Sequence, residues 1–511
     1  MTRTAAEIGA SLAPARESRP IRPGERIHVL GIAGAGASAA AIHAVAQGAI
    51  VTGCDPGGPS PYTPPLEALR IPIAWSHHAS HVADGPPLDR LAVTKALTAV
   101  APDHPELRAA ASRGSPAEAW QQVIADAAHG RSLVAVAGTH GKSTTSGWLA
   151  WVLAEAGLDP SAFVGALLPA ALTGGIPATA RVGRGASFVV EADEYAGNFD
   201  PYRPNVVVLT TIEWDHPDVF ADRAAVIEAF RTWLARAPDA TLVANLGDPG
   251  VLELLGEVSG SRSGSIIGVS LVEPGGHGDQ ARQPTELWID RRVTGRVVER
   301  TPDGTTLDVD GIATATRRVR LTTVGDHNAV NALLALAGAA AQDPSGPDGV
   351  DRLTWGLGTF PGIGRRLERK GEAGGVVVYD DYGHHPTAIR ATLAAIRQRE
   401  PDRRIWAVYE PLTFHRTAAM VVEFADALAE ADAVAVANIW AGRDLDTSSV
   451  SPETLAAAVR ARRPGIVAAA PGSVEETAAW LASNVHAGDA VLVMGGGRSY
   501  RIAELLLEAL G

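Results

Sequence analysis

The sequence predicts an α/β protein of about three domains, each with its own core. The 511 residues are 46% hydrophobic, enough chain and apolar matter for about three domains of ordinary size. Short apolar runs rich in Val and Ile alternate with helix-length segments from Arg26 to the end, as they do when strands and helices follow one another. Two of those runs pass directly into glycine-rich turns that open helices. Such junctions bring a ligand loop to a helix N-terminus.

Composition narrows the function classes. A net charge of -13 without a basic run argues against nucleic acid as a partner. Polyanionic small molecules stay open, because a few Arg and Lys in a cleft suffice for them. The single cysteine, Cys54, argues against an internal disulfide and a Cys-based metal cluster, in keeping with a reducing compartment. No apolar run approaches the roughly 18 residues of a membrane span, and Met1 to Pro20 lacks the continuous apolar core of a signal peptide. The expectation is a cytoplasmic protein with no membrane contact.

The first segment, residues 1–125, opens with a buried strand at Arg26-Ile27-His28-Val29-Leu30. The turn Gly31-Ile32-Ala33-Gly34-Ala35-Gly36, a helix over Ala39 to Gln47 and a second strand Ile50 to Asp55 follow. This is a Rossmann-type opening: small residues such as Gly34 and Gly36 let a pyrophosphate approach the helix, and Asp55 sits where a carboxylate takes ribose hydroxyls. NAD, a flavin, a UDP-sugar and a ligand-free tight turn all fit it. Pro56 to Pro65 reads as a turn-rich loop. His77, His78 and His81 suggest a metal cluster, but with no carboxylate or cysteine nearby in sequence they read as an exposed polar loop.

The middle segment, residues 126–345, contains the stretch around which the chain is organised: Gly138-Thr139-His140-Gly141-Lys142-Ser143-Thr144-Thr145. It lies between the apolar run Leu133 to Ala137 and a helix from Thr144 to Ala156 that carries Trp148, Leu149, Trp151, Val152 and Leu153. Freed backbone N–H groups, the positive helix end, the Lys142 cation and the Ser143 hydroxyl make a cradle for a nucleoside triphosphate and Mg²⁺. The first glycine is only three residues before the second, a departure from the strict G-x-x-x-x-G-K-[ST] spacing. The strand Phe188-Val189-Val190 runs into Glu191-Ala192-Asp193-Glu194, and Val206 to Thr210 runs into Glu213-Trp214-Asp215-His216. Carboxylates at the C-terminal edge of such a sheet suit Mg²⁺. Residues 256–320, with Leu287-Trp288-Ile289 and the turn Pro302-Asp303-Gly304, suggest an antiparallel β appendage without chemistry of its own. Val324 to Asn331, with Asp326, His327 and Asn328, then opens the alanine-rich helix Ala332 to Ala341; capping by Asp326 or Asn328 and ligand contact stand open together.

The last segment, residues 346–511, begins after the linker Pro344-Ser345-Gly346-Pro347-Asp348-Gly349 and reads as a second small α/β domain. Arg365-Arg366 suits phosphate binding or a surface salt-bridge pair. A strand over Gly375 to Tyr379 leads into Asp380-Asp381-Tyr382-Gly383-His384-His385-Pro386-Thr387.

Taken in order, Gly31 to Gly36, Gly138 to Thr145, Glu191 to Glu194, Asp215-His216, His327-Asn328 with Asn331, Arg365-Arg366 and Asp380 to Thr387 resemble the Mur ligase family along nearly the whole chain. These are ATP-dependent amide-forming enzymes of peptidoglycan synthesis. The resemblance is nearest to the branch that acts on UDP-N-acetylmuramate itself. It implies a three-domain α/β architecture: an N-terminal Rossmann-like domain for the UDP-sugar (with Gly34, Gly36 and Asp55), a central P-loop ATPase domain with a mostly parallel sheet, and a C-terminal Rossmann-like domain. It further implies ATP and Mg²⁺ as cofactors, with UDP-N-acetylmuramate and an amino acid or short peptide as partners. Carried over by position, Gly138, Thr139, His140, Gly141, Lys142, Ser143 and Thr144 would cradle the phosphates. Ser143 and Glu191 would hold one Mg²⁺, His216 a second. His327, Asn328 and Asn331 would border the adenine, Asp381 the ribose, and Arg365 or Arg366 the γ-phosphate. Arg416 would stand at the reacting centre.

The chain departs from the usual pattern of the L-alanine-adding branch at Ala37-Ser38-Ala39, Val93 to Leu97 and Leu412 to His415, while Glu194-Tyr195 and Phe199-Asp200 lean towards the branch that reattaches a recycled tripeptide. The acceptor thus stays open among L-alanine, glycine, serine and tripeptide, as does the oligomeric state. A NAD-dependent dehydrogenase would leave the second glycine loop and the carboxylates without a role. A non-catalytic nucleotide-binding partner is the alternative from another class.

Overall fold

The computed structural model describes residues 2–273, 287–342, 347–442, 444 and 446–511. Three sheets follow one another along the chain. The first has strands β1 Arg26–Leu30, β2 Ile50–Cys54, β3 Ile73–Ala74, β4 Arg90–Val93 and β5 Ala117–Ala119, all parallel in the order β3-β2-β1-β4-β5. Helix Ala35–Ala46 starts directly after the first glycine turn, four residues earlier than the sequence suggests, because alanines leave nothing to clash in its first turn.

The middle sheet contains β6 Ser132–Ala137, β7 Ser161–Leu168, β8 Ala178–Arg181, β9 Ser187–Ala192, β10 Val206–Leu209, β11 Thr241–Asn245, β12 Ile266–Val272, β13 Arg291–Thr301, β14 Gly304–Asp310 and β15 Arg317–Leu321. Its order is β15-β14-β13-β12-β11-β10-β6-β9-β7-β8. The strands from β7 to β13 run parallel, and antiparallel strands close both edges. The expected antiparallel appendage over 256–320 is therefore not separate. β12 pairs in parallel within the sheet, and only the β13–β15 meander, turning at Pro302-Asp303, is antiparallel. Leu287-Trp288-Ile289 precedes β13 rather than forming a strand, and Trp288 is largely exposed.

The last sheet has β16 Glu368–Ala373, β17 Val376–Asp381, β18 Arg404–Glu410, β19 Ala433–Ala437, β20 Val467–Gly472 and β21 Asp489–Gly495, ordered β16-β17-β21-β18-β19-β20 with only β16 antiparallel. The part of the expected linker at Pro344-Ser345-Gly346 lies outside the described residues. Its remainder opens helix Pro347–Thr359, which packs on the middle unit: Trp148 Nε1 donates to Leu357 O at 3.0 Å, and Trp148 stacks on Phe360 at 4.7 Å. By packing, that helix goes with the middle sheet, although the sequence reading places it in the last segment.

The joints between units differ. Helix Ala35–Ala46 lies on β7 and β8, so the first and middle units share one apolar core, with His43 Nε2 3.0 Å from Ala162 O. The last unit has its own two cores and meets the middle one mainly through polar groups described below. A buried ion network steadies the first unit: Arg90 reaches Glu25, Glu118 and Asp126 at 2.5–3.0 Å. The His77-His78-His81 loop is not the exposed polar loop expected; His77 and His81 turn inward onto the fully buried Glu106. The sequence separation of 25 or more residues hid that carboxylate. Among the described residues no helix is long and apolar enough to cross a membrane.

Candidate active site

β6 delivers the loop 138–141, and helix Lys142–Glu155 begins at Gly141. Gly138 and Gly141 have φ of 137° and 83°, and a Cβ on either would fall 2.2 Å from Thr210 Oγ1 or 2.5 Å from Asn331 Oδ1. Only glycine fits either place. Lys142 Nζ folds over the loop, donating to Gly138 O at 2.5 Å and to Glu194 Oε2 at 3.0 Å, with Asp193 at 3.5 Å. Burial opposes its charge, but the Glu194, Asp193 and Glu191 carboxylates overrule that and leave it more firmly protonated than an ordinary lysine. Burial pushes Glu194 itself up to about 7, against Lys142.

Around this loop the three units converge. Ser143 Oγ donates to Glu191 Oε1 at 3.0 Å, and Gly165 N–H donates to Glu191 Oε2 at 2.6 Å. From the last unit, Arg366 Nη2 donates to Ser143 Oγ at 2.9 Å. Its neighbour Arg365 turns away: Nε meets Asp380 at 3.0 Å, and Nη2 donates to Gly495 O and Ser499 Oγ at 2.8 and 2.7 Å. The expectation offered either arginine for phosphate, and the structure brings only Arg366 to the loop. Arg365 lies instead over Tyr382 and Tyr500.

A second acidic group stands beside the loop. Donor atoms of Asp193, Glu194 and His216 lie within 4.8 Å of one another, an arrangement that suits a hard cation. His216, at φ 56°, receives a 3.2 Å hydrogen bond on Nδ1 from Arg416 Nη2. Arg416 is buried, pairs with Asp215 at 2.7 Å, and holds Nε and Nη1 with no partner among the described residues. Despite burial, Arg416 keeps Asp215 well below the usual carboxylate range. Nearby, His140 and His385 flank Glu213, which also accepts from Thr387 Oγ1 at 2.8 Å. Burial first, then their cationic neighbours, pushes His384 and His385 down, so both are neutral near pH 7.

A cleft of about 830 Å³ opens between Gly165, Asn328, Arg365, Arg366 and Tyr382. Asn331 Oδ1 accepts from Thr145 Oγ1 at 3.2 Å. Neither Asp326 nor Asn328 is the N-cap: Gly325 holds that position, Asp326 pairs with Arg300, and Asn328 Nδ2 donates to Val324 O. Half-buried His327 follows Gly325 on the same turn. Asp381 accepts from Leu367 N–H at 2.8 Å and Gly383 N–H at 2.7 Å, which makes it the clasp of two loops.

In the first unit, Gly34 is the N-cap of its helix, whereas Gly36 is demanded by packing: a Cβ there would lie 2.1 Å from Trp120. Asp55 Oδ2 accepts from Ala33 N–H at 3.1 Å and Oδ1 from Gly57 N–H at 2.9 Å, so it shapes the glycine turn. Two contributors escaped the sequence reading. Tyr62, in the turn-rich loop, lines the cleft beside Arg365 and Arg366, and Lys95 Nζ donates to Ala196 O at 2.6 Å, next to the acidic group. Tyr62 lies in no motif; Lys95 falls in the Val93 to Leu97 stretch, where the chain departs from the family pattern.

Comparisons with known proteins agree in all three units. Residues 26–132 match the model of the Mur ligase family catalytic domain, 136–339 the Mur ligase middle domain and 365–497 the Mur ligase glutamate ligase domain. The UDP-N-acetylmuramate–L-alanine ligase of Frankia casuarinae is 36% identical over 507 residues, covering 95% of this chain and 98% of the relative. That of Kineococcus radiotolerans is 38% identical, covering 95% and 96%. Among solved structures, UDP-N-acetylmuramate-alanine ligase from Thermotoga maritima aligns with a TM-score of 0.72 at 22% identity, over 94% of this chain and 98% of that one. A murein peptide ligase from Psychrobacter arcticus aligns at 0.69 and 25%, over 96% and 99%.

Proposed function

The chain belongs to the Mur ligase family, and from that premise we propose that it joins L-alanine to the lactyl carboxylate of UDP-N-acetylmuramate, using ATP. The observation that carries the reading is the near-full-length similarity to L-alanine ligases. Transfer of the γ-phosphoryl group to the carboxylate gives an acyl phosphate and ADP. The alanine amine then attacks the acyl carbon, and the tetrahedral intermediate collapses to amide and phosphate. The difficulty is to bring anions together and to bear the charge of the moving phosphoryl.

The residues present suit that task. Loop N–H groups and Lys142 take the β- and γ-phosphates, and Arg366 approaches them from the last unit. The orphaned Nε and Nη1 of Arg416 are buried donors that an acyl-phosphate oxygen or carboxylate would satisfy. Ser143 with Glu191, and Asp193 and Glu194 with His216, offer the oxygen-rich donor sets that Mg²⁺ takes. When bound there, the ion supplies positive charge to the phosphoryl oxygens and orients them. Asn328 lines the cleft, and with His327 and Asn331 on the same helix it would border the adenine; Asp381 and Asp55 act by shaping the loops that would hold ribose and UDP-sugar. The test is Mg²⁺-dependent phosphate release from ATP with UDP-N-acetylmuramate, comparing L-alanine, glycine, L-serine and L-alanyl-γ-D-glutamyl-diaminopimelate, with product masses checked. Preference for L-alanine supports the reading. Preference for the tripeptide moves the chain to recycling, the reading favoured by the murein peptide ligase similarity.

A further inference from the structure

We propose that the first domain carries a closed transition-metal site of its own, with His28, Cys54, His81 and Glu106 as ligands and zinc(II) as the ion whose chemistry fits. One donor atom from each lies within 4.8 Å of the others. Cys54 Sγ is 3.3 Å from His28 Nε2 and 3.2 and 3.4 Å from the Glu106 oxygens, while His81 Nδ1 is 2.9 Å from Glu106 Oε1. Zinc bonds of about 2.0–2.3 Å at tetrahedral angles put donors about 3.3–3.6 Å apart. These three contacts need to lengthen by only a few tenths of an ångström, and the remaining donor pairs already lie within 4.8 Å.

The donor types point the same way. One thiolate, two imidazoles and one carboxylate is a zinc set, and sulfur disfavours Mg²⁺ and Ca²⁺. Charge points there too: Cys54 and Glu106 are both fully buried, and a dication between thiolate and carboxylate leaves no net charge in the interior. Hydrogen bonding alone serves the cluster poorly. A single thiol proton faces four polar atoms within 3.4 Å, namely His28 Nε2, His77 Nδ1 and both Glu106 oxygens. The outer shell is in place as well, with His28 Nδ1 2.8 Å from Thr52 Oγ1, which turns Nε2 inward, and His78 N–H on Glu106 Oε1 at 2.9 Å.

The ligands come from β1, the end of β2, helix Ser80–Ala83 and helix Pro105–Ser112. The ion would therefore pin two short helices to one face of the sheet, with all four positions filled by protein, which is a structural site. Cys54 adjoins Asp55, the clasp of the first glycine turn, so the pin also sets that turn.

The experiment is cobalt(II) titration of the chelator-stripped full chain, followed by displacement with zinc(II). One equivalent should bind with a near-ultraviolet thiolate-to-cobalt band, and zinc should raise the melting temperature. Cys54→Ser should abolish the band, and Glu106→Gln should weaken cobalt binding at least ~100-fold. His81→Ala, at a partly exposed position, gives the same answer should the buried variants fail to fold. His216→Ala, in the other acidic group, should leave the band intact. Absence of the band in the unaltered chain, or equal cobalt affinity in His81→Ala, overturns the proposal.

Discussion

Adjacent arginines with opposite loyalties make the sharpest test of the site. Arg366→Ala removes a charge-assisted donor aimed at the phosphate loop and, from its own domain, only a half-exposed stacking contact on Tyr382. Loss of one such donor costs about 10²–10³ in kcat, or about 2.7–4 kcal/mol, with the melting temperature nearly unchanged. Arg365→Ala instead strands Asp380, which is fully buried and whose Oδ1 already lacks a partner. Removing one member of a buried pair costs roughly 3–5 kcal/mol; at about 2–4 °C per kcal/mol for a domain of this size, the melting point should fall by on the order of 10 °C. Burial holds Asp380 up at about 6 even with Arg365 opposing it. A raised carboxyl pKa means the folded state binds the extra proton, so stability falls as pH rises through that value. Without Arg365 the window moves higher, and the variant should lose more at pH 8 than at pH 6. Steady-state phosphate release and calorimetry on both variants decide it. An Arg365→Ala protein that melts normally but has lost turnover, beside an Arg366→Ala protein with normal kcat, would refute the assignment.

Further outcomes follow from single contacts. Lys142→Ala should lower kcat at least ~10³-fold through loss of the phosphate cation; a folded variant with near-normal rates removes the loop from the mechanism. Gly138→Ala drives a Cβ to 2.2 Å from Thr210 Oγ1 at φ 137°, so it should cost about 1–3 kcal/mol of stability and raise KM for ATP, and an unchanged melting point would contradict the clash. His216→Ala should raise the Mg²⁺ concentration for half-maximal rate, with an unaltered Mg²⁺ curve counting against a metal role. Burial pushes Glu410 up to about 7, and its Oε2 has no partner among the described residues. Its stabilising share is complete below about 4.5 and lost as pH rises through about 7, so Glu410→Gln should gain roughly 2–3 kcal/mol on the unaltered chain at pH 8 and little at pH 5; equal melting shifts at both would exclude it.

What the sequence disclosed was whatever chain-local pattern encodes. The glycine loop at 138–141, the strand carrying Glu191, the strand Val206–Leu209 leading to Asp215, and the Asp380–Thr387 turn each join an apolar run to its own candidate residues, and each is legible. Pairings across distance were not. Arg365 and Arg366 are indistinguishable until Asp380 and Ser499 claim one of them. Asp55 reads as a ribose ligand until Ala33 N–H is seen on its carboxylate. Gly36 reads as a pyrophosphate glycine until Trp120, more than eighty residues on, fills the space. The histidine loop was misjudged for the same reason, since its carboxylate and thiol arrive from other elements.

Charge explains why this site asks for cations beyond those it owns. Among the described residues, the carboxylates Glu191, Asp193, Glu194, Glu213 and Asp215 surround the loop, facing Lys142, Arg366 and Arg416 as fixed cations, with Lys95 beyond Asp193; His384 and His385 are held neutral by burial. A triphosphate and a substrate carboxylate entering that field would meet a net negative wall. The wall is tolerable because it is divided: Lys142 is engaged by Glu194, Arg416 by Asp215 and Arg366 by Ser143. Each arriving anion can take over a cation, and each carboxylate so released is then free to hold a divalent ion. Two of the three cations belong to the last unit, whose contacts here are polar, while the first and middle units share an apolar core. On the proposed reading, phosphates held by Lys142 and Arg366 would bridge the middle and last units across a joint that is mainly polar.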